Sequence, residues 1–416
     1  MNILLGLCLF IIFSGAANAV EFSVPESVYS LHSTTQKSKS QHRLSEIVYR
    51  QFQPIQKQIS AESYNDALSS LNRLAQRHKE KPYVTSIAMQ SAAYVYIAQE
   101  RYPKAMHWMQ AILKLSSMNI HELQSIRHNL SQLQLQAEQY KDAATTMTQW
   151  LENAKTEQIN ASDYQLLAVS YFQLEQYKKS KQTAKKGLKL SKQPLESLYQ
   201  LILSCDIALK QYTNAEQTLA TLIKLKPSKK SYWIQWVGIL DLQEKTKQAL
   251  VVFELMDQQN MLKHEDEHIQ FVQRLMQHNN AHKAAKKLNT YIKNTKVSNT
   301  PDTRYLLASA WQQSGETTKA AKLLTNLKHK QALTRLTQIY ASEQQWLNVT
   351  ELLESELKTP VTTESETLFI QLGYAYNQLG ELIKARQIFI TLFKAEQTSH
   401  ENRRVAKEWM VYLDQF

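Results

Sequence analysis

The residues whose types and spacing could do chemistry are four histidines in the second half of the chain. His264 and His268 stand four positions apart with Glu265 between them. On one helix face this spacing lets two imidazoles bind zinc while the glutamate acts as a base, provided that a third ligand and a substrate cleft complete the site. His278 and His282 are also one helical turn apart, a spacing at which a structural metal ion could bind. These pairs raise the hypotheses of a zinc hydrolase and of a metal site.

The elements that carry these histidines follow a repeat, which is clearest at residues 369–392, FIQLGYAYNQLGELIKARQIFITL. Gly373 and Ala385 are small enough to let two short antiparallel helices approach each other, and Gly380 lies in the turn between them. Bulky residues such as Phe369 and Phe389 fill the seam, which is the apolar interface between this hairpin and its neighbours. One such hairpin cannot bury its apolar face alone, so we expect further copies.

Further copies are found when the chain is aligned on the small residue of the second helix. Consecutive copies are 29 to 38 residues apart, close to the roughly 34 residues of a tetratricopeptide repeat, and the single step of 29 predicts shortened helices. An aromatic residue often stands three positions before the small one, as Tyr102 and Trp346 do. The small residues are Ala67, Ala105, Ala143, Ser180, Ala215, Ala249, Ala284, Ala320, Val349 and Ala385.

The pattern resembles tetratricopeptide repeat proteins over most of the chain, and this resemblance implies the fold. The expected fold is all-α, a right-handed superhelical solenoid of about ten helical hairpins over residues 44–397 with a capping helix over 398–416. The composition agrees, because only 7 Gly and 8 Pro occur, well below average use. Long helices therefore dominate the prediction.

The zinc motif has a structural interpretation within this repeat. Its segment begins a first helix, and His268 falls in a seam position that Trp233 and Phe369 occupy in other copies. The sequence has no phosphate loop, no dinucleotide fingerprint and no recognisable serine or cysteine nucleophile. We therefore predict that the chain is not an enzyme and has no catalytic residue, no metal ligand and no cofactor.

The N-terminus has the features of an export signal. An apolar run from Ile3 to Phe13 precedes Ala-Asn-Ala at 17–19, which predicts a signal peptide over residues 1–19, cut after Ala19, and a periplasmic protein. The run is shorter than the roughly 20 residues that span a bilayer, although an uncleaved anchor stays open. Residues 20–43 are mostly polar and are predicted to form a disordered or loosely docked lead-in. The mature chain would keep one cysteine, Cys205, so no intramolecular disulfide is expected.

The formal net charge of +12 allows an acidic partner, nucleic acid, an anionic membrane or plain solubility. Lysines cluster on second helices, as at Lys178, Lys179, Lys185 and Lys186, which places the positive charge on the outer face. Solubility is the favoured explanation, and peripheral membrane contact through this face stays open. Nucleic-acid binding is disfavoured by the export signal and by the neutral inner wall.

The inner wall is built from first-helix residues that point away from the hairpin partner. These residues are rich in glutamine and aromatics and contain no lysine. Repeat proteins that clamp a C-terminal carboxylate present lysine and arginine from their first helices, and we expect the first helices of this chain to present neither. Such a wall suits an extended peptide bound by hydrogen bonds and stacking, although a polar wall without a ligand is the alternative. The predicted peptide-binding groove comprises Gln90, Tyr94, His128, Gln132, Gln165, Phe172, Gln200, Gln273, Tyr305, Gln312, Gln338, Tyr374 and Asn377.

A narrower resemblance rests on the stretches LFIQLGYAYNQLGELIKARQIF and ALTRLTQIYASEQQWLNVTELLE. They resemble periplasmic repeat proteins that accompany TonB energy-transduction systems in marine gamma-proteobacteria. This resemblance implies a protein–protein interaction scaffold that helps transfer energy from the inner membrane to outer-membrane receptors for iron carriers, with TonB-system subunits as partners. An adaptor in envelope polysaccharide or outer-membrane assembly is the alternative within binding functions. A zinc hydrolase is the alternative of another class.

Overall fold

The computed structural model describes residues 20–25, 27–28, 44–329, 331–357 and 361–415. Within these ranges the regular structure is helical, with 21 α-helices and one short 3₁₀ helix, Thr156–Gln158. The chain divides into two compact units, Met1–Pro227 and Ser228–Phe416. The all-α class predicted from the repeat is confirmed, and each unit is a stack of helical hairpins in which each helix packs on the next.

The first unit holds five hairpins, in which an odd-numbered first helix is followed by an even-numbered second helix. The helices are α1 Glu46–Ser60, α2 Tyr64–Arg77, α3 Pro82–Ala98, α4 Tyr102–Leu115, α5 Ile120–Gln136, α6 Tyr140–Asn153, α7 Ala161–Gln173, α8 Tyr177–Leu190, α9 Glu196–Ala208 and α10 Tyr212–Leu225.

The second unit holds five hairpins and a final helix. The helices are α11 Lys230–Leu242, α12 Thr246–Gln258, α13 Glu265–Gln277, α14 Ala281–Lys293, α15 Pro301–Gln313, α16 Thr317–Leu324, α17 Ala332–Ser342, α18 Trp346–Glu356, α19 Glu366–Gln378, α20 Leu382–Lys394 and α21 His400–Leu413. The 29-residue step reflects short helices, because α16 has 8 residues and α17 has 11.

The small residue of each second helix sets the distance between neighbouring helices. All ten residues used to align the repeats are at most 1% exposed, from Ala67 in α2 to Ala385 in α20. At Gly373 the approach is closest, since a β-carbon built there would lie 2.6 Å from the ring of Phe389. The repeat thus uses small side chains where helices touch and large ones in the seam between them.

The turn inside every hairpin places one residue in the left-handed region. The φ values at these ten positions lie between 55° and 81°, and only Gly315 and Gly380 among them are glycines. The residue after the left-handed one donates its N–H to a carbonyl in the last turn of the first helix, three residues before its C-cap. Arg101 donates to Tyr96 and Glu381 donates to Tyr376 in this way. This Schellman bonding satisfies the last helix carbonyls and offsets the strain of a side chain at positive φ.

The final helix α21 covers the end of the second unit. Ala406 and Leu413 are buried, and the ring of Trp409 stacks on Phe389 at a centroid distance of 5.3 Å. The last hairpin therefore does not expose its seam to water, as expected of a capping helix.

Part of the predicted lead-in is described and packs on the first unit. Phe22 and Val28 are buried, and Val20 and Val24 pack against the core of the first unit. The rest of the predicted lead-in and the predicted signal peptide at 1–19 lie outside the described residues. Among the helices that the structure describes, none is long and apolar enough to cross a membrane.

Candidate functional site

Two of the three acidic residues of the zinc motif, including the predicted base Glu265, are held in structural contacts. Glu265 accepts hydrogen bonds from the Ser298 backbone N–H at 3.1 Å and from the Ser298 hydroxyl at 2.7 Å. Glu267 accepts the N–H groups of Lys263 and His264 and forms an ion pair with Lys230, which together lower its pKa against the effect of burial. Both carboxylates fix the start of α13 and its neighbouring loop.

His268 is a core residue. It is 2% exposed, and its ring lies 4.3 Å from that of Tyr291, centroid to centroid. Burial lowers its pKa, because desolvation disfavours the charged imidazole. The structure thus places His268 in the seam position predicted from the repeat, away from any zinc-protease arrangement of exposed imidazoles.

Two further side chains that could react or bind a metal lie in different surroundings, since Cys205 is buried and His282 is exposed. Cys205 is buried and donates its thiol hydrogen to the Ser180 hydroxyl over 3.3 Å, and burial raises its pKa, so the thiolate is disfavoured. The His282 ring packs edge-on against Trp311 at 5.5 Å. Across the described ranges, no cluster of three or more His, Cys, Asp or Glu side chains is arranged to hold a metal ion.

The predicted groove residues of the first unit form links between successive first helices, beginning at α3 and α5. The Tyr94 hydroxyl accepts a hydrogen bond from the Gln90 amide at 3.1 Å and from the Asn129 amide at 3.4 Å. The Tyr94 side chain remains 39% exposed. Its own hydroxyl hydrogen is therefore available to an additional acceptor.

The next link joins α5 to α7. His128 Nε2 lies 2.7 Å from Asp163 Oδ1, and the second carboxylate oxygen accepts the Asn160 N–H at 2.8 Å. Asp163 is only 2% exposed, and Asn160 caps α7 in a capping box with it. The His128 ring also lies 4.8 Å from the Trp150 ring, so its position is fixed from two sides.

A third link joins α7 to α9. The Ser197 hydroxyl donates to the Gln165 amide oxygen at 2.8 Å, which leaves the Gln165 amide hydrogens for another acceptor. We call Gln90, Tyr94, His128, Asn129, Asp163, Gln165 and Ser197 the polar ladder. A cavity of about 260 Å³ adjoins its middle and is lined by His121, His128, Asn129 and Trp150, among others.

The other predicted groove residues of the first unit are Gln132, Gln200 and Phe172. Gln132 is exposed, whereas Gln200 and Phe172 are half-buried. The Phe172 ring packs edge-on against Tyr177 of α8 at 5.3 Å, which ties it to its own hairpin. The structure thus brings Gln90, Tyr94, His128 and Gln165 into the ladder.

In the second unit the predicted wall is not free of cations. Arg335 of α17 donates from Nε to the Tyr305 hydroxyl at 2.8 Å and from Nη1 to the Gln312 amide oxygen at 2.9 Å. Its guanidinium also lies 4.9 Å from the centre of the Tyr305 ring. In addition, Arg274 of α13 forms a two-bond ion pair with Asp241 of α11. The expectation that first helices present no arginine was wrong.

An aromatic cluster surrounds Tyr374 in the last hairpin. The Tyr374 ring packs edge-on against Trp346 at 5.4 Å and Trp409 at 5.8 Å, yet the side chain is 38% exposed. Asn377 is half-buried nearby in the same helix, whereas Gln273 and Gln338 are exposed on α13 and α17. The second unit therefore offers separate aromatic patches and not a continuous row of amides.

The sequence prediction missed Asn129, Asp163, Ser197 and Arg335. Asp163 had a visible signal, because Asn160 followed three positions later by an acidic residue is a capping box, and its carboxylate then has one oxygen left for a neighbour. The other three depend on how neighbouring first helices align. No local pattern in the sequence contains that information.

Comparison with known families supports the repeat assignment for one hairpin. Residues 164–194, which cover most of α7 and all of α8, match the family model "Tetratricopeptide repeat". No protein with a curated description matches the chain significantly.

Three solved structures are similar to the chain. A tetratricopeptide repeat protein from Parabacteroides merdae has 12% identity, with 71% of this chain and 99% of that one covered, at a TM-score of 0.37. YrrB, described as a TPR protein with an unusual peptide-binding site, has 14% identity, with 45% of this chain and 91% of that one covered, at a TM-score of 0.36. A chain of the Naa15/Naa10 complex bound to HypK-THB has 14% identity, with 92% of this chain and 65% of that one covered, at a TM-score of 0.42.

The family match covers one hairpin, and the nine others repeat its helix order, its buried small residue and its left-handed turn. Residues 164–194 are therefore similar in sequence to a tetratricopeptide repeat, and the other described hairpins share the architecture of that hairpin.

Proposed function

We propose that this protein is a scaffold that binds an extended segment of a partner protein along the polar ladder of its first unit. The observation that carries the proposal is the run of three cross-helix links, from α3 to α9. These links hold polar side chains in place, while the Tyr94 hydroxyl and the Gln165 amide keep donor hydrogens for a ligand. Fixed donors and acceptors lose little conformational entropy on binding.

The chemistry of the ladder favours a peptide backbone as the ligand. Asn and Gln side chains carry both a donor and an acceptor, which matches the alternating N–H and C=O groups of an extended chain. The half-buried His128 and the exposed Tyr94 add aromatic surface, and the buried carboxylate of Asp163 is already engaged by His128 and Asn160. A strongly charged ligand has no matching cluster in the ladder.

We further propose that the protein works in the periplasm as an accessory component of a TonB-dependent transport system. Support comes from the apolar N-terminal run that ends in Ala-Asn-Ala and from the resemblance of residues 332–354 and 368–389 to repeat proteins that accompany such systems. The lysines of α8 would face away from the ladder, where contact with an anionic membrane surface is a further proposal.

Site-specific photo-crosslinking in cells tests both proposals. A photoreactive residue at Tyr94 or Gln165 should capture a TonB-system subunit, whereas the same residue at exposed Lys185 of α8 should not. Capture from Lys185 alone would overturn the ladder as the binding surface. Capture of polysaccharide-assembly or outer-membrane-assembly proteins from Tyr94 and Gln165 would retain the scaffold and overturn the TonB assignment.

A further inference from the structure

Residues 20–25 lie on a surface formed mainly by second helices, distinct from the polar ladder on first helices. Asn72 of α2 holds the backbone of this segment at two points. Its amide nitrogen donates to the Glu21 carbonyl at 2.8 Å, and its amide oxygen accepts the Ser23 N–H at 2.7 Å. These two hydrogen bonds bind an extended backbone whatever its side chains are, as the backbone of a neighbouring β-strand would.

The side chain of Phe22 gives the contact its apolar part. Phe22 is 4% exposed, and its ring packs edge-on against Trp108 of α4 at 4.8 Å. Its N–H donates to the Tyr96 hydroxyl at 2.7 Å, so the same residue is held through both backbone and ring. Burial of an aromatic side chain of this size removes a large apolar surface from water and so stabilises the contact.

A basic pair completes the surface beside Glu21. The Glu21 carboxylate lies 3.3 Å from the Arg101 guanidinium and also pairs with the Lys104 ammonium group. Arg101 in turn lies over the Tyr96 ring, 4.9 Å from its centre, so its orientation is set before the carboxylate arrives. Glu21 stays about two-thirds exposed, so the pair contributes little to the stability of the fold.

We propose that the surface of Asn72, Tyr96, Arg101, Lys104 and Trp108 is a second peptide-binding site, which takes an extended segment with an acidic residue directly followed by an aromatic one. Residues 20–25 of the chain itself are its resident ligand. Backbone, ring and carboxylate each have a dedicated partner, which separates this arrangement from the nonspecific packing of a terminal segment. A partner segment with the same chemistry would compete with residues 20–25 for the site.

Peptide binding in trans tests the proposal on the full-length chain. Phe22→Asp should expel the resident segment, and a fluorescent peptide VEFSVPESV, residues 20–28, should then bind to the variant. The unmodified chain should bind this peptide at least about 10-fold more weakly, because its own tethered segment competes at high effective concentration. Absence of binding to the variant, or equal binding to both chains, would overturn the proposal.

Specificity is tested by exchanging charges. In the Phe22→Asp variant, the further change Lys104→Glu should weaken the binding of the peptide. The same change should strengthen the binding of a peptide that carries Glu21→Lys, whereas Lys185→Glu on α8 should change neither affinity.

A peptide with Phe22→Ala tests the ring contact without any change to the protein, and it should bind at least about 10-fold more weakly than the unaltered peptide. Equal binding of the Ala peptide and the unaltered peptide would contradict the site. Tyr94→Phe in the ladder should leave all these affinities unchanged, which separates this site from the proposed groove.

Discussion

At the scale of single residues, His268 shows how a histidine of catalytic spacing becomes a pH-sensitive part of the core. Burial is the main cause of its lowered pKa, with Lys296 adding to the effect and Asp257 and Glu267 opposing it. Below the ordinary histidine pKa of about 6.5, the unfolded chain binds a proton that the folded chain resists. The free energy of unfolding should therefore fall as the pH drops through that value.

The substitution His268→Phe tests this linkage. Phenylalanine occupies the corresponding position as Phe369 in the last hairpin, so the seam can accept it. Between pH 7.5 and 5.5, we expect the free energy of unfolding to decrease less in the variant than in the unmodified chain. The two decreases should differ by at most about 1.4 kcal/mol per pH unit, the largest effect that one bound proton can have. His78, whose pKa is also lowered by burial, remains in both proteins. Urea unfolding at several pH values provides the measurement, and identical pH dependences would contradict the assignment.

At the scale of helices, the small residues decide how closely a hairpin closes. Gly373 of α19 faces the fully buried ring of Phe389, which stacks on Trp409 and cannot easily move. Gly238 of α11 has no atom within 4 Å of the position of an added β-carbon. Both glycines lie inside helices of the second unit, and they form a matched pair.

Alanine at each of these glycines should have opposite effects. Gly238→Ala should stabilise the protein by about 1 kcal/mol, because alanine favours the helix. Gly373→Ala has the same helix preference but overpacks the seam, which costs about 1–3 kcal/mol, so it should be clearly less stable than Gly238→Ala. Thermal unfolding followed by circular dichroism compares the two. Equal stabilisation by both changes would show that the seam at Gly373 is loose.

Much of the helical layout could be predicted from the sequence, because the spacing of small and bulky residues is a local property. The ten buried small residues, such as Ala67 and Ala385, were found in this way. The left-handed turns were not, apart from Gly380, because glutamate at Glu100 or Glu138 gives no sign of positive φ. There the Schellman bonds and the packing of the next helix impose a conformation that the residue itself disfavours.

The candidate site could be predicted only in part. Tyr94, His128 and Gln165 were predicted by counting along each first helix from its seam residues, since the direction of a side chain follows from helical periodicity. Their partners Asp163 and Ser197 lie on other helices, 35 and 32 positions along the chain. Which of these side chains meet depends on how one helix slides along the next, a property of tertiary packing that spacing does not encode.

At the scale of the whole molecule, the central claim is that the polar ladder binds an extended segment through its side chains. The direct test is titration of a synthetic peptide, covering the crosslinked stretch of the captured partner, against the full-length chain and its variants. Tyr94→Phe with Gln165→Leu removes one hydroxyl and one amide, and Lys185→Met serves as the control. Loss of two hydrogen bonds should weaken binding about 10-fold while the control binds as the unmodified chain does. Equal affinity of the double variant and the unmodified chain would contradict the claim.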